Sequence, residues 1–196
     1  MTQIVSVDIA AHAERAVTRP QFADTMARLA TTVCVVSSGS GSECLGRTAM
    51  AVFSLSANPP SIVVSIKADS ALADAISSRQ GFSLAMLAQG QELVADAFAG
   101  RVSAANRYLV GVWADWPSGR PRLIGATAGL DCMLSASVLV GDHRLFVGTI
   151  IATETLDFAE PLLWSERQYQ ALERSTGFAT PSGGRPLPSG AACPTI

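Results

Sequence analysis

The sequence predicts a mainly β protein, an antiparallel barrel with short helices at its ends. Strand-like runs outnumber helical ones. Most of them are joined by hairpins or by single short helices, and there is neither a βαβ alternation nor an internal repeat. The 196 residues fit one domain, expected over residues 18–176, with an arm over 1–17 and a Gly/Pro/Ser-rich tail over 177–196 expected to be disordered.

The arm lacks clear caps and reads as flexible chain or a short strand. Thr18, Pro20 and Gln21 then form a helix start with a capping box, and Phe22, Met26 and Leu29 give that helix one apolar face through Ala30. Residues 31–37 (TTVCVVS) are β-branched and predict a strand, with a Gly/Ser turn over 38–42. A single strand is expected over 45–56, ended by Asn58-Pro59-Pro60, because proline removes donors and restrains its predecessor. Residues 61–67 (SIVVSIK) give the next strand. Ser70 caps a helix that turns Leu72 and Ile76 inward and stops near Gly81. A strand over 82–87, a helix over 92–98 ending at Gly100 and a short helix over 106–111 follow. Residues 113–122 read as an irregular loop, 130–140 and 144–155 as a long hairpin across Gly141-Asp142-His143, and 165–174 as a last helix.

The chain is 48% apolar and only 15% charged, so surface is expected to be buried between subunits as well. A net charge of −2 with few aromatics gives no footprint for nucleic acid. Cys34, Cys44, Cys132 and Cys193 show no metal spacing and read as reduced thiols. No apolar run is long enough for a membrane helix and no secretory leader is evident, which predicts a cytoplasmic protein.

Residues 41–48 (GSECLGRT) come close to a P-loop, but Arg47 replaces the lysine, Glu43 is acidic, and no helix follows; a hairpin turn is the better reading. No GxGxxG opens a helix and no GxSxG elbow occurs. His12 and His143 are the two histidines, too few for a His-rich metal site. His143 beside Asp142 reads either as half of an acid/base pair or as an exposed turn histidine. Among thirteen arginines the one lysine, Lys67, follows a strand and precedes a helix N-terminus capped by Ser70. That geometry suits a phosphate, and the alternative is a surface lysine beside a cap.

Taken in order, FADTMARLATTVCVVSS, GRTAMAVFSLSANPPSIVVSIKADSALADAI, GFSLAMLAQGQELVADAFAG, LIGATAGLDCMLSASVLVGDHRLFVGTI and PLLWSERQY resemble the flavin reductase-like, FMN-binding split-barrel family over about residues 21–170. The most specific pieces are SLSxxPP (54–60), GDH…FVG (141–148) and PLLW…Y (161–169). The resemblance implies a split β-barrel, a homodimer, and an NAD(P)H-dependent flavin reductase that supplies reduced FMN or FAD to a partner monooxygenase. Alternatives are an oxidoreductase that keeps its flavin and acts directly on a small organic substrate, and a non-catalytic flavin- or haem-binding module.

By the same resemblance, Gly46, Arg47, Thr48, Ala49, Met50 and Ala51 line the isoalloxazine. Ser65, Ile66 and Lys67, with Ser70, Ala71 and Leu72, lie at the ribityl phosphate, and Phe98 lies near the flavin. His143 and Leu162, Leu163, Trp164 and Ser165 lie where the nicotinamide of NADH or NADPH docks, His143 orienting it or supplying a proton. The chain departs from the family at Met50 and Ala51, where small polar residues (Ser or Asn) are usual, at Ala85 (usually Asn) and near Thr32 (usually Gly). These losses of polarity imply either weak, substrate-like flavin binding or a divergent activity.

Overall fold

The computed structural model describes residues 4–7 and 9–172. Its strands are β1 (Ile4–Val7), β2 (Thr31–Thr32), β3 (Cys34–Ser38), β4 (Leu45–Ala49), β5 (Val52–Ala57), β6 (Pro60–Lys67), β7 (Gly81–Met86), β8 (Trp113–Asp115), β9 (Pro121–Leu123), β10 (Ala128–Val140), β11 (His143–Thr155), β12 (Leu163–Ser165) and β13 (Gln168–Gln170). The helices are α1 (Arg19–Met26), α2 (Ala71–Arg79) and α3 (Glu92–Asp96). The expected tail over 177–196 lies outside the described residues.

The main sheet runs β4-β3-β7-β10-β11-β6-β5, every neighbouring pair antiparallel. β1 adds in parallel along residues 137–140 of β10, so the arm does contain a strand. β4 and β5, consecutive in the chain, are the two outer strands of the sheet. Met50 and Ala51 join them outside any ladder, and Ser65 N donates to Ala51 O at 3.0 Å. The barrel is left open between β4 and β5, in keeping with the split barrel that the resemblance implies. One expectation is corrected here: residues 45–56 are not one strand. The cause is tertiary, because the segment must leave β3 at one edge and join β6 at the other.

Period-two alternation sorts the side chains into two cores. Cys34 and Val36 of β3 face the barrel interior with Phe82, Leu84, Val64 and Phe146. Val33 and Val35 face outward to Leu87, Phe98, Leu123 and Leu162. Each fully buried side chain of this size stabilises the fold by roughly 1.5–3 kcal/mol. The interior is tight enough that a Cβ on Gly148 would stand 2.6 Å from the Phe82 ring.

The capping box at Thr18 forms as expected, with Gln21 N donating to Thr18 Oγ1, and Ser70 Oγ accepts from Ala73 N at 3.2 Å at the start of α2. Leu72 and Ile76 turn inward. The long hairpin also forms, closed by Gly141 (φ 58) and Asp142. Two expectations fail. Residues 113–122 contain the β8–β9 hairpin, whose turn is held by a buried 2.6 Å ion pair between Arg120 and Asp131 of β10. Residues 165–170 are not helical: β12 and β13 pair across Glu166 (φ 51) and Arg167 (φ 61). Glu166 and Arg167 form ion pairs with Arg28 and Asp24 near α1, and Glu166 N donates to Ala27 O. Those partners override the local helical preference. The last residues of the expected helix, 173–174, lie outside the described residues.

Candidate functional site

The sequence-derived candidates gather around β4, its break from β5, and the end of β6. Gly46 is pinned from three sides. Arg107 Nη1 donates to its carbonyl at 3.0 Å, and a Cβ there would meet the Phe98 ring at 2.5 Å and the Tyr108 hydroxyl at 2.8 Å. Glycine is therefore required for close approach rather than for an unusual φ. Phe98, Tyr108 and Trp113 form an aromatic cluster beneath it with centroids 5.0–5.3 Å apart. Phe98 is fully buried, so within the chain it supports Gly46 and exposes no surface of its own.

Thr48 Oγ1 donates to Ala95 O at 2.6 Å and ties β4 to α3. Arg47 is exposed, and Ala49 turns into the barrel. Burial first, and then the Arg47 charge, lower the Arg107 guanidinium from its usual value.

Three cavities surround the break. One of about 310 Å³ lies against Met26, Leu29, Thr31, Ala51, Trp164 and Arg167. Another of about 150 Å³ lies between Thr48, Asp96, Arg101, Trp164 and Tyr169. A third of about 400 Å³ reaches Cys34, Val52, Ile62 and Met86 at the barrel interior. Met50 lines all three, with 43% of its surface exposed.

The second group stands at the end of β6. Lys67 is the direct cross-strand partner of His143 on β11. Its ammonium is exposed and lies 3.1 Å from Asp69. Ser70 Oγ donates to Lys67 O at 2.7 Å while capping α2, so one hydroxyl fixes both the strand end and the helix start. His143 Nδ1 and Asp142 Oδ1 are 2.8 Å apart, and Ala68 N donates to Asp142 O. The side-chain hydrogen bond with His143, then the His143 charge, and to a lesser extent Lys67 hold the Asp142 carboxyl below its ordinary value. Ala71 is exposed in the first turn of α2. Ile66 and Leu72 pack into the barrel core, so their backbones, not their side chains, face this end.

Ser65 connects the two groups. It bonds Ala51 at the break, and Lys67 lies two residues further, about 7 Å along the strand. Of the residues assigned to nicotinamide, Trp164 stands with Met50, half-buried Leu163 and Ser165 flank it in β12, and Leu162 is buried in the outer core. His143 belongs to the Lys67 group; β12 hydrogen-bonds to β13 and β2, not to β11.

Sequence reasoning missed Asp96, Arg101 and Tyr169. Tyr169 donates to Asp96 at 2.8 Å, and Arg101 pairs with Asp96 at 3.1 Å. Burial, and then Asp96, push the Tyr169 phenol up to about 12. These residues are far apart in sequence, and Tyr169 was assigned to a helix that does not form. Among the described residues no three metal-ligating side chains come together.

A flavin reductase like domain model matches residues 26–173, and the chain belongs to that family. It is 33% identical over 154 residues to the FMN reductase (NADH) RutF of Methylorubrum extorquens, covering 79% of this chain and 75% of that protein. It is 33% identical over 151 residues to the reductase component of 4-hydroxyphenylacetate 3-monooxygenase from Thermus thermophilus, covering 77% and 95%. Among solved structures, the NADH:FAD oxidoreductase of Streptomyces globisporus in complex with NAD and FAD fragments superposes with a TM-score of 0.76 at 27% identity, covering 81% of this chain and 95% of that one.

Proposed function

We propose that this chain is an NAD(P)H:flavin oxidoreductase that reduces FMN or FAD and releases the reduced flavin to a partner monooxygenase. Family membership supports the reading, as do relatives named as NADH-dependent FMN reductases and as monooxygenase reductase components. One observation of this chain carries it furthest: Ser65 joins a cleft around Met50 and Ala51 to an exposed lysine beside a capped helix start.

The residues present fit a flavin. Lys67 and the α2 start would hold its phosphate, the end of β6 its ribityl chain, and the residues of the β4–β5 break its ring. A bound flavin would supply a hydride acceptor for the reduced nicotinamide, chemistry that asks the protein for stacked rings and excluded water and little acid/base help. The chain's own work is therefore positioning. Gly46 to Ala51 would offer the ring chiefly their backbone, with Met50 as the bulky side chain at the break. Trp164 walls the cleft beside Met50 and shields it from water. Asp142 engages Nδ1 of His143, so Nε2 is the nitrogen available to a bound nucleotide.

Anaerobic NADH or NADPH titration with FMN and FAD tests this reading. Bleaching of the flavin band is expected with at least one pair, and no bleaching with any pair sinks it. His143→Ala is expected to raise KM for NADH more than it weakens flavin binding. The reverse order would assign His143 to the flavin phosphate with Lys67.

A homodimer completes the proposal. Phe22, Met26 and Leu29 on and after α1 are uncovered within the chain, as are Phe53 and Leu55 on the outer strand β5. Exposed apolar side chains on an unpaired strand edge favour a partner. Sedimentation is expected to give twice the chain mass. A cytoplasmic location is favoured by the free thiols of Cys34, Cys44 and Cys132.

A further inference from the structure

We propose that Met50 sets the residence time of bound flavin: its side chain divides one cleft into three lobes and holds the isoalloxazine near the mouth, so that flavin exchanges quickly. The inference rests on the reductase reading above and concerns the same site.

The three cavities around the β4–β5 break have different walls. The largest reaches apolar barrel residues, the second lies against Trp164 and the α1 end, and the smallest ends on Arg101 and Tyr169. At about 400, 310 and 150 Å³ the lobes lie in the lower part of the range for a small-molecule pocket, roughly 300–1,000 Å³, or below it, while together they fall well inside that range. Met50 is the side chain they share. A rigid planar ring needs one continuous slot, and Met50 stands where that slot would run.

The backbone on either side is fixed independently of this side chain. Thr48 is tied to Ala95, and Ala51 to Ser65. A change at Met50 therefore alters the space in the cleft and leaves the path of the strands. Methionine is unbranched and has three rotatable bonds, so it yields to a ring by giving up rotamer freedom, and it re-enters the slot when the ring leaves. Such a side chain weakens retention without blocking entry, which suits a protein that passes its flavin on.

The test compares wild type with Met50→Ser, Met50→Ala and the bulk-preserving Met50→Leu, each checked by thermal unfolding. FMN affinity is read by quenching of flavin fluorescence and release by stopped flow. Both truncations are expected to lower Kd about tenfold, chiefly through slower dissociation. In turnover with free flavin, KM for FMN and kcat should fall together as release becomes limiting. Met50→Leu should stay within about twofold of wild type. Unchanged or weaker binding in the truncations overturns the proposal, and so does tightening in Met50→Ser alone, which would assign the effect to polarity. Absence of flavin-stimulated NADH oxidation in wild type would defeat the reductase reading instead.

Discussion

Lys67 is the chain's single lysine, and among the described residues its ammonium pairs with an exposed carboxylate, Asp69. An exposed pair of this kind contributes little to stability. Lys67→Met should therefore leave the unfolding midpoint nearly unchanged. Loss of a charge-assisted bond to phosphate, worth roughly 1.5–3 kcal/mol, should raise the FMN Kd at least about tenfold; isothermal titration checks both affinity and the expected indifference of riboflavin, which lacks the phosphate. Gly46 behaves in the opposite way. A Cβ would stand 2.5 Å from the Phe98 ring, so Gly46→Ala should destabilise by about 1–3 kcal/mol in urea unfolding through overpacking. Lys67 and Ser70 could be read from sequence, because a cation before a cap is a local pattern. The Tyr169–Asp96–Arg101 group could not, since its members meet only after β13 folds back on α3.

Among the elements, the strands were legible because alternation is local: β3 buries Cys34 and Val36 on one face and Val35, with Val33 just before the strand, on the other, as a period of two requires. The break at Met50 and Ala51 was not, for no residue there disfavours a strand. It exists because the segment serves two opposite edges of one sheet. The β12–β13 turn was misread for a related reason. Glu166 and Arg167 adopt left-handed φ, held by Arg28 and Asp24, which stand 138 and 143 positions away. The β8–β9 hairpin is too short to show alternation, and its anchor, Asp131, is buried at 2% exposure of its side chain against 13% for Arg120. Asp131→Ala leaves a guanidinium uncompensated in that setting. It should cost about 3–5 kcal/mol, read as a lower denaturant midpoint, whereas Arg122→Ala, whose partner Glu154 is half-exposed, should cost under about 1 kcal/mol.

At the scale of the molecule, two tyrosines report on packing of the outer layer. Burial raises the phenol of Tyr108 well above its usual range, and Tyr169 is pushed up to about 12. The folded state thus binds the phenolic protons more tightly than the unfolded state. Their stability contribution is complete below the ordinary value of about 10 and is lost as pH rises from there through the folded values. An alkaline ultraviolet titration should show little phenolate until pH passes that ordinary value, then a rise coupled to unfolding. Tyr169→Phe should remove one of the two phenolate steps and leave the other.

The split in the barrel also limits how its rims can move. Ala49 and Val52 are held at opposite rims of the opening by a leash of two residues, Met50 and Ala51. Three steps of extended chain reach no further than about 11 Å, so at this end the two rims can breathe but cannot part, whatever happens further along the strands.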